Sequence, residues 1–219
     1  WEGYRTDRVL DIRDVQLVLR ALRDLGRVGR VELDLDETIE RTAKNAGDIE
    51  IVERKQRKNR LDVMLLMDAG GSMAPHARRV EQLFTAASKL DSFRSFTSYT
   101  FHNCVYQWLY TDIAQMERRP THEVLANLAP HTRVVFVGDA SMAPYELFSG
   151  MGWPGQESLS GEEWLRRFRA RCPASVWLNP DAKRLWRHPT VSAIGRIFPM
   201  YELTIEGLRD AVKRLRAPV

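Results

Sequence analysis

Two acids in this chain stand at the ends of apolar runs, and both have oxygen-bearing neighbours. Leu61-Asp62-Val63-Met64-Leu65-Leu66-Met67 leads into Asp68-Ala69-Gly70-Gly71-Ser72, and Val134-Val135-Phe136-Val137 leads into Gly138-Asp139. A carboxylate and a hydroxyl on one tight turn can hold part of the shell of a hard cation. Mg2+ takes oxygen ligands in near-octahedral geometry and keeps several waters. Gly70 and Gly71 let the backbone approach closely. The remaining ligands must come from elsewhere in the chain, and Asp139 is the first candidate, with Ser141 as an auxiliary one. Either aspartate alone could instead cap the helix after it, since Asp is a favoured N-cap. Two of them at one rim, with Ser72 in register, favour a site.

Such a rim requires parallel strands that end together. Buried strands are predicted over 61–67, 134–137 and 174–178, the last stopped by Asn179-Pro180. Helices are predicted over 11–26, closed by Gly26 and Gly29, over 34–46, ended by Gly47, and after Pro75, with Val80, Leu83, Phe84, Ala87 and Leu90 on one face. Further helices are predicted over 121–128, 162–172 and 205–215, the last turning Leu208, Val212 and Leu215 inward. Strands at 96–101 and 105–109, joined through His102-Asn103-Cys104, read as a hairpin, and 49–52 reads as a short strand. Strands alternating with helices at this spacing predict a doubly wound, mostly parallel α/β sheet with one antiparallel edge strand. Residues 1–58 read as an N-terminal extension and 59–219 as the main domain. In such sheets the ligand site lies beyond the carboxyl ends of the strands, where strand order reverses.

With 219 residues and 44% hydrophobic content, the chain can build one substantial core. It begins at Trp1 rather than a methionine, which suggests part of a longer protein. No stretch approaches the ~18 apolar residues of a membrane span, and no signal-peptide pattern opens the chain. Cys104 and Cys172 are too few for a disulfide framework or a structural zinc site, so cytoplasm is the expected compartment. The net charge of +4 is mild. Its basic clusters, 54–60 and Arg166, Arg167, Arg169 and Arg171, read as a solvated connection and a solvated helix face. The first lacks interleaved aromatics, so nucleic-acid binding is not expected. His76, His102, His122, His131 and His188 show no zinc-hydrolase spacing, and no phosphate-binding P-loop occurs. Trp108, Trp153, Trp164, Trp177 and Trp186 read as core or interface anchors. Gly150-Met151-Gly152-Trp153-Pro154-Gly155 is the expected mobile loop after the Asp139 rim.

The pattern resembles a von Willebrand factor A domain over roughly 61–215. The family's metal-ion-dependent adhesion site uses a DxSxS turn, a distant threonine and a distant aspartate. These fall on Asp68, Gly70, Ser72, Thr121 and Asp139, with Thr121 in Arg119-Pro120-Thr121-His122-Glu123. Met67-Asp68-Ala69-Gly70-Gly71-Ser72-Met73, Tyr99-Thr100-Phe101-His102-Asn103, the segment from Val137 through Ser141 to Glu146, and Trp177-Leu178-Asn179-Pro180 are similar to the bacterial CoxE-like proteins. The resemblance implies a non-enzymatic adaptor or chaperone-like domain. It would bind a carboxylate-bearing protein through Mg2+ or another divalent cation, beside a MoxR-type AAA+ ATPase, in protein or cofactor maturation. The family's middle serine is Gly70 here, which removes one side-chain oxygen and implies weaker, more exchangeable metal binding.

One rival motif needs weighing. Asp34-Leu35-Asp36-Glu37-Thr38 fits the DxDxT loop of magnesium-dependent, haloacid-dehalogenase-like phosphatases, in which the first Asp attacks phosphorus and the second acts as acid or base, and Gly138-Asp139 could serve as their later acidic motif. The preceding Val28-Gly29-Arg30-Val31-Glu32-Leu33 is a poor buried strand, and position 143 is Ala where a second metal-binding acid would be wanted.

Overall fold

The computed structural model describes residues 10–22, 25–59, 61–112, 115–150 and 159–217. Helix α1 (Ile12–Leu19) comes first, then an antiparallel ribbon of β1 (Leu25–Leu33) and β2 (Glu53–Asn59) with α2 (Leu35–Lys44) between them. There follow β3 (Asp62–Asp68), α3 (Ala77–Ser88), β4 (Ser95–Phe101), β5 (Trp108–Tyr110), β6 (Arg118–Pro120), α4 (Thr121–Asn127), β7 (Arg133–Val137), α5 (Pro144–Phe148), α6 (Gly161–Arg171), β8 (Ser175–Asn179), α7 (Pro189–Ile197), β9 (Met200–Glu202) and α8 (Ile205–Arg216). Seven strands form one sheet in the order β6-β5-β4-β3-β7-β8-β9, in which β5 alone runs against the rest.

All seven residues of β3 are buried, the pattern of a parallel strand covered on both faces. Its side chains alternate between two cores. Val63, Leu65 and Met67 join α1, α3 and α8, while Met64 and Leu66 face α4, α5, α6 and α7. Strands β7 and β8 repeat the division, with Val135, Val137, Val176 and Leu178 on the first side and Val134, Phe136 and Trp177 on the second. The period-2 alternation thus builds the three-layer, doubly wound α/β fold that the sequence predicts. Val80, Leu83 and Ala87 of α3 and Leu208, Val212 and Leu215 of α8 are buried as their spacing requires. Each large aliphatic side chain buried this way contributes about 1.5–3 kcal/mol relative to exposure.

The chain before β3 differs most from expectation. Helix α1 stops at Leu19, and Gly26 and Gly29 lie within β1 rather than closing a helix. The basic run read as a connection is β2, and the expected strand at 49–52 precedes it without regular structure. Backbone pairing decides here rather than hydropathy: Glu32 stands opposite Arg54 and Leu33 opposite Glu53, an opposite-charge pair among them. Val31 (55% exposed) and Leu33 (48%) show that this ribbon has no buried face of its own there. Residues 10–22, by contrast, belong to the main domain, since Leu10, Val15, Val18, Leu19 and Leu22 enter the first core.

The predicted hairpin also opens wider. Strand β5 starts at Trp108, and the connection before it buries Cys104 and Val105. Strand β6, not the antiparallel β5, is the edge strand on this side of the sheet. Helices α5 and α7 and strand β9 are not among the elements that the sequence predicts: α5 and β9 are only five and three residues long, whereas α7, opened by Pro189, buries Thr190, Val191, Ala193, Ile194 and Ile197 at helical spacing. The glycine-rich segment beyond Gly150, including Trp153, lies outside the described residues. Among the described residues no helix is long and apolar enough to cross a membrane.

Candidate metal site

The sheet register brings the acids together. Met67 of β3 pairs with Val137 of the parallel β7, so Asp68 is level with Gly138, and Asp139 is one step further out. Asp68 also pairs with Phe101 of β4, which sets residues 102–104 on the same rim. Strand β3 has β4 on one side and β7 on the other, and the later strands run outward from each, so the reversal of strand order falls beside Asp68. Thr121 opens α4 immediately after Pro120, which pairs with Trp108, while Tyr110 of β5 pairs with Thr100 of β4. That antiparallel turn returns Thr121 to the rim where β4 ends. Ser72 lies in the 3-10 turn Gly71–His76 directly after Asp68 and is exposed.

Asp68 is 4% exposed, and its two oxygens fare differently. Oδ1 accepts hydrogen bonds from the backbone N–H groups of Gly70 (2.8 Å) and Asn103 (2.9 Å). Oδ2 is buried and has no hydrogen-bond partner among the described residues. Of the four buried side-chain atoms in that condition, the others on Gln82, Ser92 and Trp164, only this one belongs to an ionisable group. Burial pushes the Asp68 pKa up to about 6, against the two backbone N–H groups that favour the carboxylate, and the charge of Asp139 pushes in the same direction as burial. A buried acceptor left unpaired costs about 1–3 kcal/mol, more when charged, so this oxygen calls for a partner that the described residues do not supply. Gly138 is what lets the strand ends close up, since a Cβ there would lie 3.0 Å from Asp68 Cβ.

Asp139 is 5% exposed, and its Oδ1 accepts from the Ser141 N–H at 2.9 Å. The next residue, Ala140, is fully buried with φ of 60°, a left-handed conformation that costs a non-glycine residue about 1–3 kcal/mol. It is held by two residues that sequence reasoning missed. Asn179 Nδ2 donates to the Asp139 carbonyl (2.7 Å), and Thr190 Oγ1 donates to the Ala140 carbonyl (2.8 Å). Ser141 is exposed and is not a helix cap; α5 is capped at Ala143, whose N–H donates to Glu146 Oε2 (2.8 Å). Neither Asp68 nor Asp139 caps a helix. Thr121 is fully buried, and its hydroxyl donates to the Tyr106 carbonyl (2.5 Å), which leaves the lone pairs of Oγ1 as acceptors. The Tyr106 hydroxyl in turn donates to the Glu146 carbonyl at 2.6 Å.

The donor set is oxygen only: two carboxylates, two hydroxyls and backbone. That suits Mg2+ or a similar hard cation and not a soft metal. The nearest thiol is no alternative, because burial pushes Cys104 up to about 12 and keeps it protonated. Among the described residues no group of three or more His, Cys, Asp and Glu converges, so a cation here would lean on hydroxyls and water. The unpartnered Asp68 Oδ2 fits that role. Beside Asp68 runs a cleft of about 400 Å3 walled by Met73, Ala77, Val80, Phe84 and Tyr99.

Asp34 and Asp36 lie elsewhere. Strand β1 is outside the seven-stranded sheet, so the DxDxT segment does not join Asp139 at its rim. Asp34 Oδ1 caps α2 through the Glu37 N–H (3.2 Å), its Oδ2 pairs with Arg54 Nη1 (2.8 Å), and Asp36 is exposed. Asn103, Glu146 and Asn179 carried a signal only as members of the segments that gave the family resemblance. Thr190 carried none. The fold and rim define a class, a doubly wound, Rossmann-like α/β protein with paired acids at its switch point. No protein-family model matches the chain, and no curated protein or solved structure does either.

Proposed function

We propose that this chain is a protein-binding module that works through a divalent cation, Mg2+ or a close relative, held by Asp68, Ser72, Thr121 and Asp139. The observation that carries the reading is the buried Asp68 carboxylate, one oxygen of which has no partner among the described residues. A bound cation would supply a Lewis acid to which a carboxylate of the partner protein coordinates. Asp68 and Asp139 neutralise charge from two adjacent strand ends. Thr121 and Ser72 offer neutral oxygens from two helix starts, with Ser141 as an auxiliary. The apolar cleft beside Asp68 supports the reading, because it can seat the flanking side chains of a bound segment. Resemblance to von Willebrand factor A domains of the CoxE-like type points to a MoxR-type AAA+ ATPase as the partner and to protein or cofactor maturation in the cytoplasm as the setting. No catalysis is assigned to the chain.

Two measurements test this together. Mn2+ titration followed by electron paramagnetic resonance reads metal binding, and co-purification with a MoxR-type ATPase in Mg2+ or in EDTA reads partner capture. The wild-type chain binds both, and Asp68→Ala and Thr121→Ala weaken both. Capture unaffected by EDTA, or Mn2+ binding indifferent to Asp68→Ala, ends the reading.

A further inference from the structure

We infer that Asn103 supplies the oxygen that position 70 lacks, so that the cation site is completed from the connection between β4 and β5. The inference rests on the metal-binding reading above. A Cβ built on Gly70 would lie 2.3 Å from Asn103 Oδ1 and 3.1 Å from Asp68 Oδ1. The Asn103 carboxamide oxygen therefore already fills the space of a residue-70 side chain, a space that also borders Asp68 Oδ1. Glycine at 70 makes room for it.

Three features fix Asn103 in this pose. Its N–H donates to Asp68 Oδ1 at 2.9 Å, and its Nδ2 donates to Glu146 Oε1 at 2.8 Å. Its φ of 58° is left-handed, a conformation that asparagine tolerates better than most residues. The direction of the amide follows from Glu146. A carboxylate only accepts, so the amide nitrogen must face Glu146 and the oxygen must face Gly70. Glu146 is itself held, because its other oxygen accepts from the Ala143 N–H at 2.8 Å. Among the described residues no donor is bonded to Asn103 Oδ1. An amide carbonyl is a hard, neutral oxygen of the kind that Mg2+ and Ca2+ accept, equivalent in charge to a serine hydroxyl. Asn103 thus restores a ligand of the missing class, and Glu146 acts as its positioning residue.

The test is a Mn2+ titration of the purified chain, read by electron paramagnetic resonance, with thermal melts as a check on folding. Asn103→Gly removes the oxygen while suiting the left-handed backbone, so the fold is retained. It should weaken Mn2+ binding at least about tenfold, the scale that even an outer-sphere partner reaches. Gly70→Ser alone should also weaken binding, because its Cβ meets Asn103 Oδ1 at 2.3 Å. Gly70→Ser combined with Asn103→Gly should bind more tightly than either single variant, since the hydroxyl then enters vacated space. Asn103→Gly binding like wild type while Asp68→Ala is weakened overturns the Asn103 assignment and leaves the metal reading standing. A double variant no tighter than the single ones overturns it as well. Wild type and Asp68→Ala binding alike removes the metal reading, and this inference with it.

Discussion

Strand β3 carries a buried aspartate at each end, and the protein treats the two oppositely. Asp62, 9% exposed, is fully engaged. Arg94 Nε and Ser95 Oγ each donate to its Oδ1 at 2.7 Å, Arg94 Nη2 bonds its Oδ2, and His131 Nε2 lies 3.3 Å from that oxygen. The Arg94 guanidinium holds its carboxyl below the usual range, against the effect of burial. Asp68, 4% exposed, has two backbone donors on one oxygen, none on the other, and a pKa near 6. Burial of an acid therefore does not mark a site. What sets Asp68 apart as a candidate is a buried charge that the fold leaves partly unanswered, at the strand-order reversal of the sheet.

The largest effect that sharpens this contrast is a pH dependence. The rise in the Asp68 pKa from 3.8 to about 6 corresponds to about 3 kcal/mol. Below pH 3.8 the folded and unfolded chains are both protonated at this group, and nothing is lost. Between about 4 and about 6 the unfolded chain has given up the proton that the folded chain still holds, so stability falls as pH rises and levels off above 6. Urea unfolding in EDTA should show wild type losing stability relative to Asp68→Asn by about this amount across that window. A constant difference between the two proteins would contradict it. Next in size is Asp62→Asn, which removes charge-assisted hydrogen bonds and should cost about 2 kcal/mol at pH 7. The sign is reversed: the folded pKa of Asp62 is lowered, so its stabilisation is present above the unfolded value and is lost as pH falls through the folded one. Mn2+ binding should be unchanged in Asp62→Asn, and a loss there would erase the distinction between the two ends of the strand.

Much of this was legible in the sequence where one physical signal dominates. The apolar runs of β3, β7 and β8 are too short for helices and are bounded by turn residues, so they read as buried parallel strands, and strand ends in a parallel sheet fix where Asp68 and Asp139 emerge. Helices α3 and α8 announced themselves through their periodic apolar faces. The ribbon did not, because β1 and β2 are held by backbone pairing across glycines and charges that hydropathy cannot see. Asn103 reads as a hairpin residue in the sequence because its pose depends on a left-handed φ and on Asp68 and Glu146, 35 and 43 residues away in sequence. Asn179 and Thr190 were hidden for the same reason, since each acts on a backbone carbonyl about 40 to 50 residues distant.

Asp34 provides the finest cut through the comparison, because its sequence context copies that of Asp68: a strand, an acid, then a turn into a helix. It too is buried, at 7% exposure, yet both its oxygens are taken, one by the Glu37 N–H and one by Arg54. If unanswered charge is what separates site from scaffold, Asp34→Ala should behave as the loss of a helix cap. It should lower stability by about 1 kcal/mol in urea unfolding. It should leave Mn2+ binding and partner capture intact, and the wild-type chain should not hydrolyse a generic phosphate ester such as p-nitrophenyl phosphate. Hydrolysis that disappears in Asp34→Ala and survives in Asp139→Ala would transfer the function of this protein from the rim of its large sheet to the ribbon.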